Sequence, residues 1–300
     1  MRESSQTLAK KDVDSPARAS ALITAYPLLP TIGRIALYAT LIVLALLTLF
    51  PFLWMLVTAL KSSSEVFEWP IVLMPRNPQW GNFAEAWSRQ PFMRFFQNTV
   101  FITIGTTVLT LFTSSTAGFA FAKYEFRGKR ILFLIILMML MLPPQVTLIP
   151  TFLMARNLGL VNTYVGLLIP GITSVFGIFM IRQYLQSIPD ELIDAARIDG
   201  CNDWNIYTMI ILPLILPALA VLTIFTFTSS WNSFLWPLII ATSSDMYTLQ
   251  VGIAFFSGQT GTEYQLMMAV AVVSMLPVIL IYVLFQRYFV ASEALAGLNR

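Results

Sequence analysis

Six long apolar stretches constrain this chain more than any other feature. A helix needs about 20 apolar residues to cross roughly 30 Å of hydrocarbon. Windows of that length lie near residues 35–60, 98–122, 131–155, 161–181, 206–237 and 264–286. No Asp, Glu, Lys or Arg lies within them. The pattern predicts an all-α integral membrane protein with six transmembrane helices.

The composition excludes several classes of function. Hydrophobic residues make up 57% of the 300 residues and charged residues only 11%. Because the chain has no histidine and a single cysteine, Cys201, the usual zinc sites, Ser-His or Cys-His catalytic pairs and an internal disulfide are excluded. The chain also lacks the GxxxxGK[ST] loop that cradles nucleotide phosphates. We expect no enzyme activity, no cofactor and no nucleic-acid partner, and any ATP hydrolysis must occur on another subunit.

The distribution of basic residues predicts the orientation in the membrane. Lys and Arg concentrate in cytoplasmic segments, and a cytoplasmic N-terminus places 13 of the 18 basic residues inside. The tight loop "KYEFRGKR" is the strongest single signal. Both termini are therefore expected in the cytoplasm. The predicted organisation is a tail over 1–32, a six-span region over 33–290 and a second tail over 291–300.

The spans lack charges but contain helix breakers. Ionisable residues at membrane depth mark ion-coupling sites and proton relays, so their absence weakens an ion-coupled mechanism. Prolines interrupt the spans in "LMLPPQVTLIP", "LLIPGITSVFG" and "LPLILP". Two interpretations remain open: structural kinks in a helix bundle, or a moving and water-accessible pathway.

Uncharged polar residues within the spans are candidates for a translocation path. The densest group is "FTSSWNSFLWP", in which aromatic rings alternate with hydroxyl and amide groups, a combination that suits a polyhydroxylated, uncharged solute. The candidate residues are Gln145, Ser230, Trp231, Asn232 and Trp236. The alternative is that they form hydrogen bonds between helices.

A short acidic loop, residues 189–204, interrupts this apolar chain on the expected cytoplasmic side. Its sequence is "PDELIDAARIDGCNDW". Ser187 followed three residues later by Asp190 resembles a capping box and predicts a helix over about 188–199. Gly200 would end this helix, and Asn202 or Asp203 would cap the next one.

The spacing also places Leu192, Ala195, Ala196 and Asp199 on one side of this helix. The small alanines permit a partner surface to approach closely, and the acids of the loop offer acceptors to basic residues on that surface. A simple solvated loop is the alternative.

The stretch "DAARIDGCNDWNIYTMIILP" resembles the EAA motif of binding-protein-dependent ABC importer permeases. That motif reads EAA, three residues, Gly, nine residues and I-x-L-P. The matching positions are Asp194, Ala195, Ala196, Gly200, Ile210, Leu212 and Pro213, with Asp in place of Glu as the only departure. The segments "FPFLWMLVTALKSSSEVF" and "FQRYFVASEALAGL" resemble the MalG-type branch of carbohydrate permeases.

This resemblance implies a function and a set of partners. It implies a multi-pass permease subunit in a bacterial or archaeal inner membrane, with its EAA loop seated on an ATPase subunit. The expected partners are a second related permease, two ATP-binding cassette ATPase subunits, an extracytoplasmic sugar-binding protein and membrane lipid. An autonomous six-span secondary transporter or channel for a small polar solute is the alternative.

Overall fold

The protein is helical throughout the part that the structure describes. The computed structural model describes residues 31–259 and 263–298, and no strand occurs among them. The predicted N-terminal tail lies almost wholly outside these residues. The final helix continues through Leu298, so residues 291–298 of the predicted second tail are helical.

The helices vary greatly in length. In chain order they are α1 Thr31–Ala59, α2 Ser63–Val66, α3 Gly81–Arg89, α4 Phe92–Lys123, α5 Lys129–Met139, α6 Pro144–Asn157, α7 Tyr164–Leu168, α8 Val175–Leu185, α9 Glu191–Ile198, α10 Asp203–Asn205, α11 Leu212–Leu214, α12 Leu216–Trp231, α13 Leu235–Ile240, α14 Leu249–Gln259 and α15 Tyr264–Leu298. A π-helical segment, Ile206–Ile211, joins α10 to α11, and 3₁₀ turns cover Ile169–Gly171 and Ser244–Met246.

Three helices are long and apolar enough to cross a membrane unaided. These segments are Gly33–Ala59, Phe92–Lys123 and Tyr264–Gln286. Three further pairs of helices reach the required length together, but each pair is sharply bent. The bends are 102° between α5 and α6, 44° after Gly171, and 76° at Ile215. The described residues therefore contain three candidate spans formed by single helices, or up to six if each bent pair counts as one span.

Prolines lie at or beside each bend. Pro143 and Pro144 lie where α6 begins, Pro170 precedes the second break, and Pro213 and Pro217 flank the third. Proline cannot donate the backbone hydrogen bond that would continue a helix through it. Other prolines lie inside unbroken helices, so proline alone is not sufficient for a break.

Helix α4 is the central helix of the compact unit that begins at Met55. It packs against α8 and α12, and α12 packs against α15. Small residues permit the close contact with α8, because a Cβ atom on Gly118 would lie 2.7 Å from a methyl carbon of Ile181. The buried side of α4 is unusually polar, with Thr103, Thr107 and Ser114 almost fully buried.

Candidate functional site

Helix α9 of the acidic loop has one buried side and one exposed side. Ile193 and Ala196 are buried and pack in a cluster with the ends of α4 and α8. Leu192, Ala195 and Ile198 are exposed, and they recur every three residues along the opposite side. We call these three residues the apolar ridge. Leu192 and Ile198 thus place apolar side chains beside the acids on the exposed side of the loop.

The motif residues of α9 divide between these two sides. Asp194 and Ala195 are exposed, as a docking surface requires. Ala196, which the spacing placed with Ala195 on a partner-facing side, is only 6% exposed and packs inward. Its role is therefore to seat α9 on the helix bundle. Ile198 is 86% exposed and was missed by the sequence reasoning, although it lies three residues after Ala195.

The beginning of α9 differs from the predicted capping box. The helix begins at Glu191 rather than near 188, and Asp190 makes no capping hydrogen bond with its side chain. The Ser187 hydroxyl instead donates to the carbonyl of Tyr184. Asp190 accepts from the ammonium group of Lys123 at 2.5 Å, and the same group donates to the carbonyl of Ile188 at 2.5 Å. The end of α4 thus holds the start of α9.

The end of α9 is as predicted. Gly200 has a φ of +83°, a left-handed conformation that glycine adopts without strain. The Gly200 N–H donates to the carbonyl of Arg197, and the Cys201 N–H donates to that of Ala196, which is a Schellman motif. Asn202 then caps the next helix by accepting from the Asn205 N–H at 2.8 Å. The sequence predicts either Asn202 or Asp203 as the cap, and Asn202 has this role.

Most acids of the loop interact within the chain. Arg197 lies 3.9 Å from Asp194 and 3.7 Å from Asp203, and its guanidinium lies over the ring of Tyr124. Burial, reinforced by the carboxylate of Asp203, raises the pKa of Tyr124. Two other acids, Glu191 and Asp199, form no ion pair within the described residues. They remain available to an external partner.

The motif ends at the bend in the fifth apolar window. Ile210 lies in the π-helical segment and is half-buried, as is Leu212, whereas Pro213 is exposed. The wider π turn accommodates the proline ring, which would clash with the carbonyl four residues earlier in an α-helix. These three residues shape the bend rather than contribute to the apolar ridge.

A cavity of about 640 Å³ lies beside α4. Its wall combines α4, the break after Gly171, the end of α12 and the beginning of α13. The lining residues are Thr99, Ile102, Thr103, Thr106, Thr110, Pro144, Leu167, Pro170, Gly171, Thr173, Ser174, Phe176, Leu222, Phe225, Thr226, Ser229, Ser230, Ser233, Trp236, Pro237 and Thr248. None of these residues is charged.

Only two of the five residues predicted for the translocation path line the cavity. Ser230 and Trp236 line the cavity. Trp231 does not, because it is 1% exposed and its indole N–H donates to the carbonyl of Ser274 at 2.9 Å. Asn232 and Gln145 are exposed but lie outside the cavity wall. Trp231 is thus a packing residue between α12 and α15.

The sequence reasoning missed the contribution of α4 to the cavity. Thr99, Thr103, Thr106 and Thr110 all line it from this helix. Their spacing of four, three and four residues places them on one side of a helix. The signal was present in "TVFITIGTTVLT", since hydroxyl side chains repeated at helical spacing in an apolar span indicate a polar face.

Comparison with known proteins gives a consistent result. Residues 111–293 match the family described as "Binding-protein-dependent transport system inner membrane component". The arabinooligosaccharides transport system permease protein AraQ of Halalkalibacterium halodurans is 36% identical over 85% of this chain and 93% of its own length. The sn-glycerol-3-phosphate transport system permease protein UgpE of Pectobacterium atrosepticum is 33% identical over 84% of this chain and 93% of its own.

A solved structure agrees with both matches. It is the crystal structure of a bacterial ABC transporter involved in the import of the acidic polysaccharide alginate. One of its chains superposes on this one with a TM-score of 0.77 and 28% identity, over 86% of this chain and 96% of that chain.

Proposed function

Since the chain belongs to the family of inner membrane components of binding-protein-dependent transport systems, we propose that it forms half of the translocation pathway of an ATP-driven importer for a sugar or oligosaccharide. It is an integral membrane permease subunit. The names of its relatives support a carbohydrate, because AraQ is a permease for arabinooligosaccharides. Lactose and diacetylchitobiose permeases are also among the relatives.

The observation that supports this function best is the two-sided helix α9. Its inner side is fixed to the helix bundle by Ile193, Ala196 and the ion pair of Asp190 with Lys123. Its outer side presents the apolar ridge together with Asp194 and Asp199. We propose that a cytoplasmic ATPase subunit binds this outer side. In this proposal Asp194 and Ala195 contact the ATPase subunit, and Gly200 fixes the turn at the end of α9. The loop and the bend that follows it are held by Ala196, Ile210, Leu212 and Pro213.

Movement of α9 can reach the cavity through α4. Lys123 is the last residue of α4 and contacts the start of α9, while the threonine face of the same helix lines the cavity. A continuous helix transmits a rigid-body displacement along its length. ATP binding can drive this displacement only if the ATPase pair binds α9 differently in its two states.

The full transporter requires further chains. We propose a second related permease for the other half of the pathway, two ATPase subunits and an extracytoplasmic sugar-binding protein. The orientation predicted from basic residues places α9 and both termini in the cytoplasm.

Ala195→Arg tests the coupling role. A bulky charge at the centre of the apolar ridge should leave the protein in the membrane but prevent the ATPase subunit from co-purifying and abolish ATP-driven uptake. Ala84→Arg is the matched control, because Ala84 is also an exposed alanine on a short helix, α3, remote in sequence from the loop. Wild-type co-purification and uptake in Ala195→Arg would contradict the proposal.

Reconstitution of this chain alone distinguishes the alternative function. An autonomous channel or secondary transporter would carry solute across proteoliposomes without ATP or partner subunits. The proposed importer subunit would carry none under the same conditions.

A further inference from the structure

Hydroxyl groups on the helices of this protein usually bond to their own backbone. Thr116, Thr151 and Thr223 each donate to the carbonyl four residues earlier, at 2.7–2.8 Å. This local bond satisfies a hydroxyl group in an apolar environment where water is absent. A hydroxyl that lacks it therefore requires another explanation.

The cavity gathers hydroxyl groups that lack such a bond. The side chains of Thr106, Thr226, Ser229 and Ser233 line it and form no hydrogen bond to another described residue. Thr248 also lines it, and its hydroxyl oxygen is buried without a partner. A hydroxyl group that is buried in this state, as that of Thr248 is, is costly, so native proteins normally satisfy it with protein, water or ligand. The hydroxyls of the other four have no partner among the described residues and can bind water or a solute that enters the cavity, so together they form a polar binding surface.

Aromatic rings complete the cavity wall. The indole N–H of Trp236 donates to the carbonyl of Gly166 at 3.0 Å, which fixes the orientation of its ring. Phe176 and Phe225 lie edge to face with ring centroids 5.8 Å apart. A sugar has the complementary chemistry, since its hydroxyls form hydrogen bonds and its C–H faces pack on aromatic rings. The volume of about 640 Å³ lies in the range of small-molecule sites, about 300–1,000 Å³.

The absence of charge from the wall restricts the solute further. An anion that leaves water requires a cation or a set of charge-assisted hydrogen bonds to offset its loss of hydration. The wall of the cavity in the described residues supplies neither Lys nor Arg. A neutral polyol loses less on entry, and the unpaired hydroxyls can replace its water contacts.

We propose that this subunit carries a solute-binding subsite for an uncharged, polyhydroxylated solute, formed by Thr106, Thr226, Ser229 and Ser233 with Trp236 as an aromatic wall. The proposal rests on the importer function above and adds that this subunit itself contacts the solute. It also favours a neutral oligosaccharide over anions such as a phosphorylated polyol or an acidic saccharide.

The first test removes single hydroxyls at constant shape. Thr106→Val and Thr226→Val would be measured in the assembled transporter with its ATPase and solute-binding protein, in proteoliposomes, at saturating solute. Each should lower the maximum uptake rate about fivefold, the equivalent of one hydrogen bond of about 1 kcal/mol. Co-purification of the ATPase should not change.

Thr107→Val is the matched control, because its hydroxyl donates to the carbonyl of Thr103 and Thr107 does not line the cavity. Its maximum uptake rate should stay near wild type. Wild-type rates in both Thr106→Val and Thr226→Val would overturn the subsite, as would an equal loss in Thr107→Val.

The second test compares neutral and anionic probes in the wild-type transporter. Arabinotriose and lactose are the neutral probes, and sn-glycerol 3-phosphate and an alginate trisaccharide are the anions. We expect ATP-driven uptake of a neutral probe and of neither anion. Uptake of an anion would overturn the preference for an uncharged solute while leaving the importer function intact. No ATP-driven uptake of any probe would instead count against the proposed function.

Discussion

The turn at Gly200 offers the sharpest test of how the acidic loop works. Gly200 has a φ of +83°, and no heavy atom lies within 4 Å of the position that a Cβ atom would occupy. Gly200→Ala therefore adds backbone strain without a steric clash. A left-handed conformation costs a residue with a Cβ atom roughly 1–2 kcal/mol.

That cost is small for the whole protein but large for a local turn. It changes the ratio of the native turn to rearranged turns by a factor of roughly 5–30. We expect normal membrane insertion and global stability close to wild type. We also expect weaker association with the ATPase subunit, because α9 and the helix after it lose their fixed angle. Co-purification of the ATPase and ATP-driven uptake in proteoliposomes measure this effect.

Gly128→Ala is the control that separates a loss of coupling to the ATPase subunit from the general effect of backbone strain. Gly128 has a φ of +85° and equally open surroundings, but it lies in the loop between α4 and α5. It therefore carries the same backbone cost at a different place. A loss of uptake in Gly128→Ala as large as that in Gly200→Ala, or wild-type ATPase association in Gly200→Ala, would contradict a specific role of the Gly200 turn.

Three further predictions concern packing and the ion pair that holds α9. Lys123→Met should lower the free energy of unfolding by about 1–3 kcal/mol, because the buried ammonium group no longer donates to Asp190 and to the carbonyl of Ile188; Lys129→Met, which removes a pair with a 90% exposed carboxylate, should cost under about 1 kcal/mol. Thermal unfolding in detergent would compare the two, and equal losses would contradict this difference. Gly118→Ala should lower the free energy of unfolding by about 1–3 kcal/mol, because the added methyl group overpacks the contact with α8. In Gly105→Ala the added methyl group meets only the flexible end of a leucine side chain, so this variant should unfold near the wild-type temperature. Trp231→Phe should cost about 1–3 kcal/mol, since it removes the hydrogen bond from the buried indole N–H to the carbonyl of Ser274 and part of the packing of the larger ring, yet keep the preference among neutral probes; a changed preference in uptake competition would show that this residue does contact solute.

Periodicity predicted where the helices are but not which side of each is buried. The spacing of Leu192, Ala195 and Ala196 correctly indicates one helix, but an alanine is compatible with either side. Ile193 indicates which side of α9 is buried, because it lies three residues before Ala196 and both side chains pack inward. The same limit explains Trp231, which is adjacent to Ser230 in sequence but turns toward α15 rather than the cavity.

Contacts between residues that are distant along the chain could also not be predicted from the sequence. The short-range pattern of Ser187 and Asp190 predicts a capping box, but Lys123 from another helix binds Asp190 instead. By contrast, the Gly200 turn and the Asn202 cap depend only on neighbouring residues, and both are confirmed. Local chemistry was therefore predictable, and partners distant in sequence were not.

Cross-linking from the apolar ridge shows whether α9 contacts the ATPase subunit. Cys201 is the only cysteine, so a Cys201→Ser background permits a single reactive position at Ala195→Cys. In the assembled transporter, a short bifunctional reagent should join Ala195→Cys to the ATPase subunit, with a yield that changes between the nucleotide-free and ATP-bound states. Ala84→Cys on α3 should give no such product. Absence of a cross-link from Ala195→Cys in a transporter that still carries out ATP-driven uptake would contradict coupling through this helix.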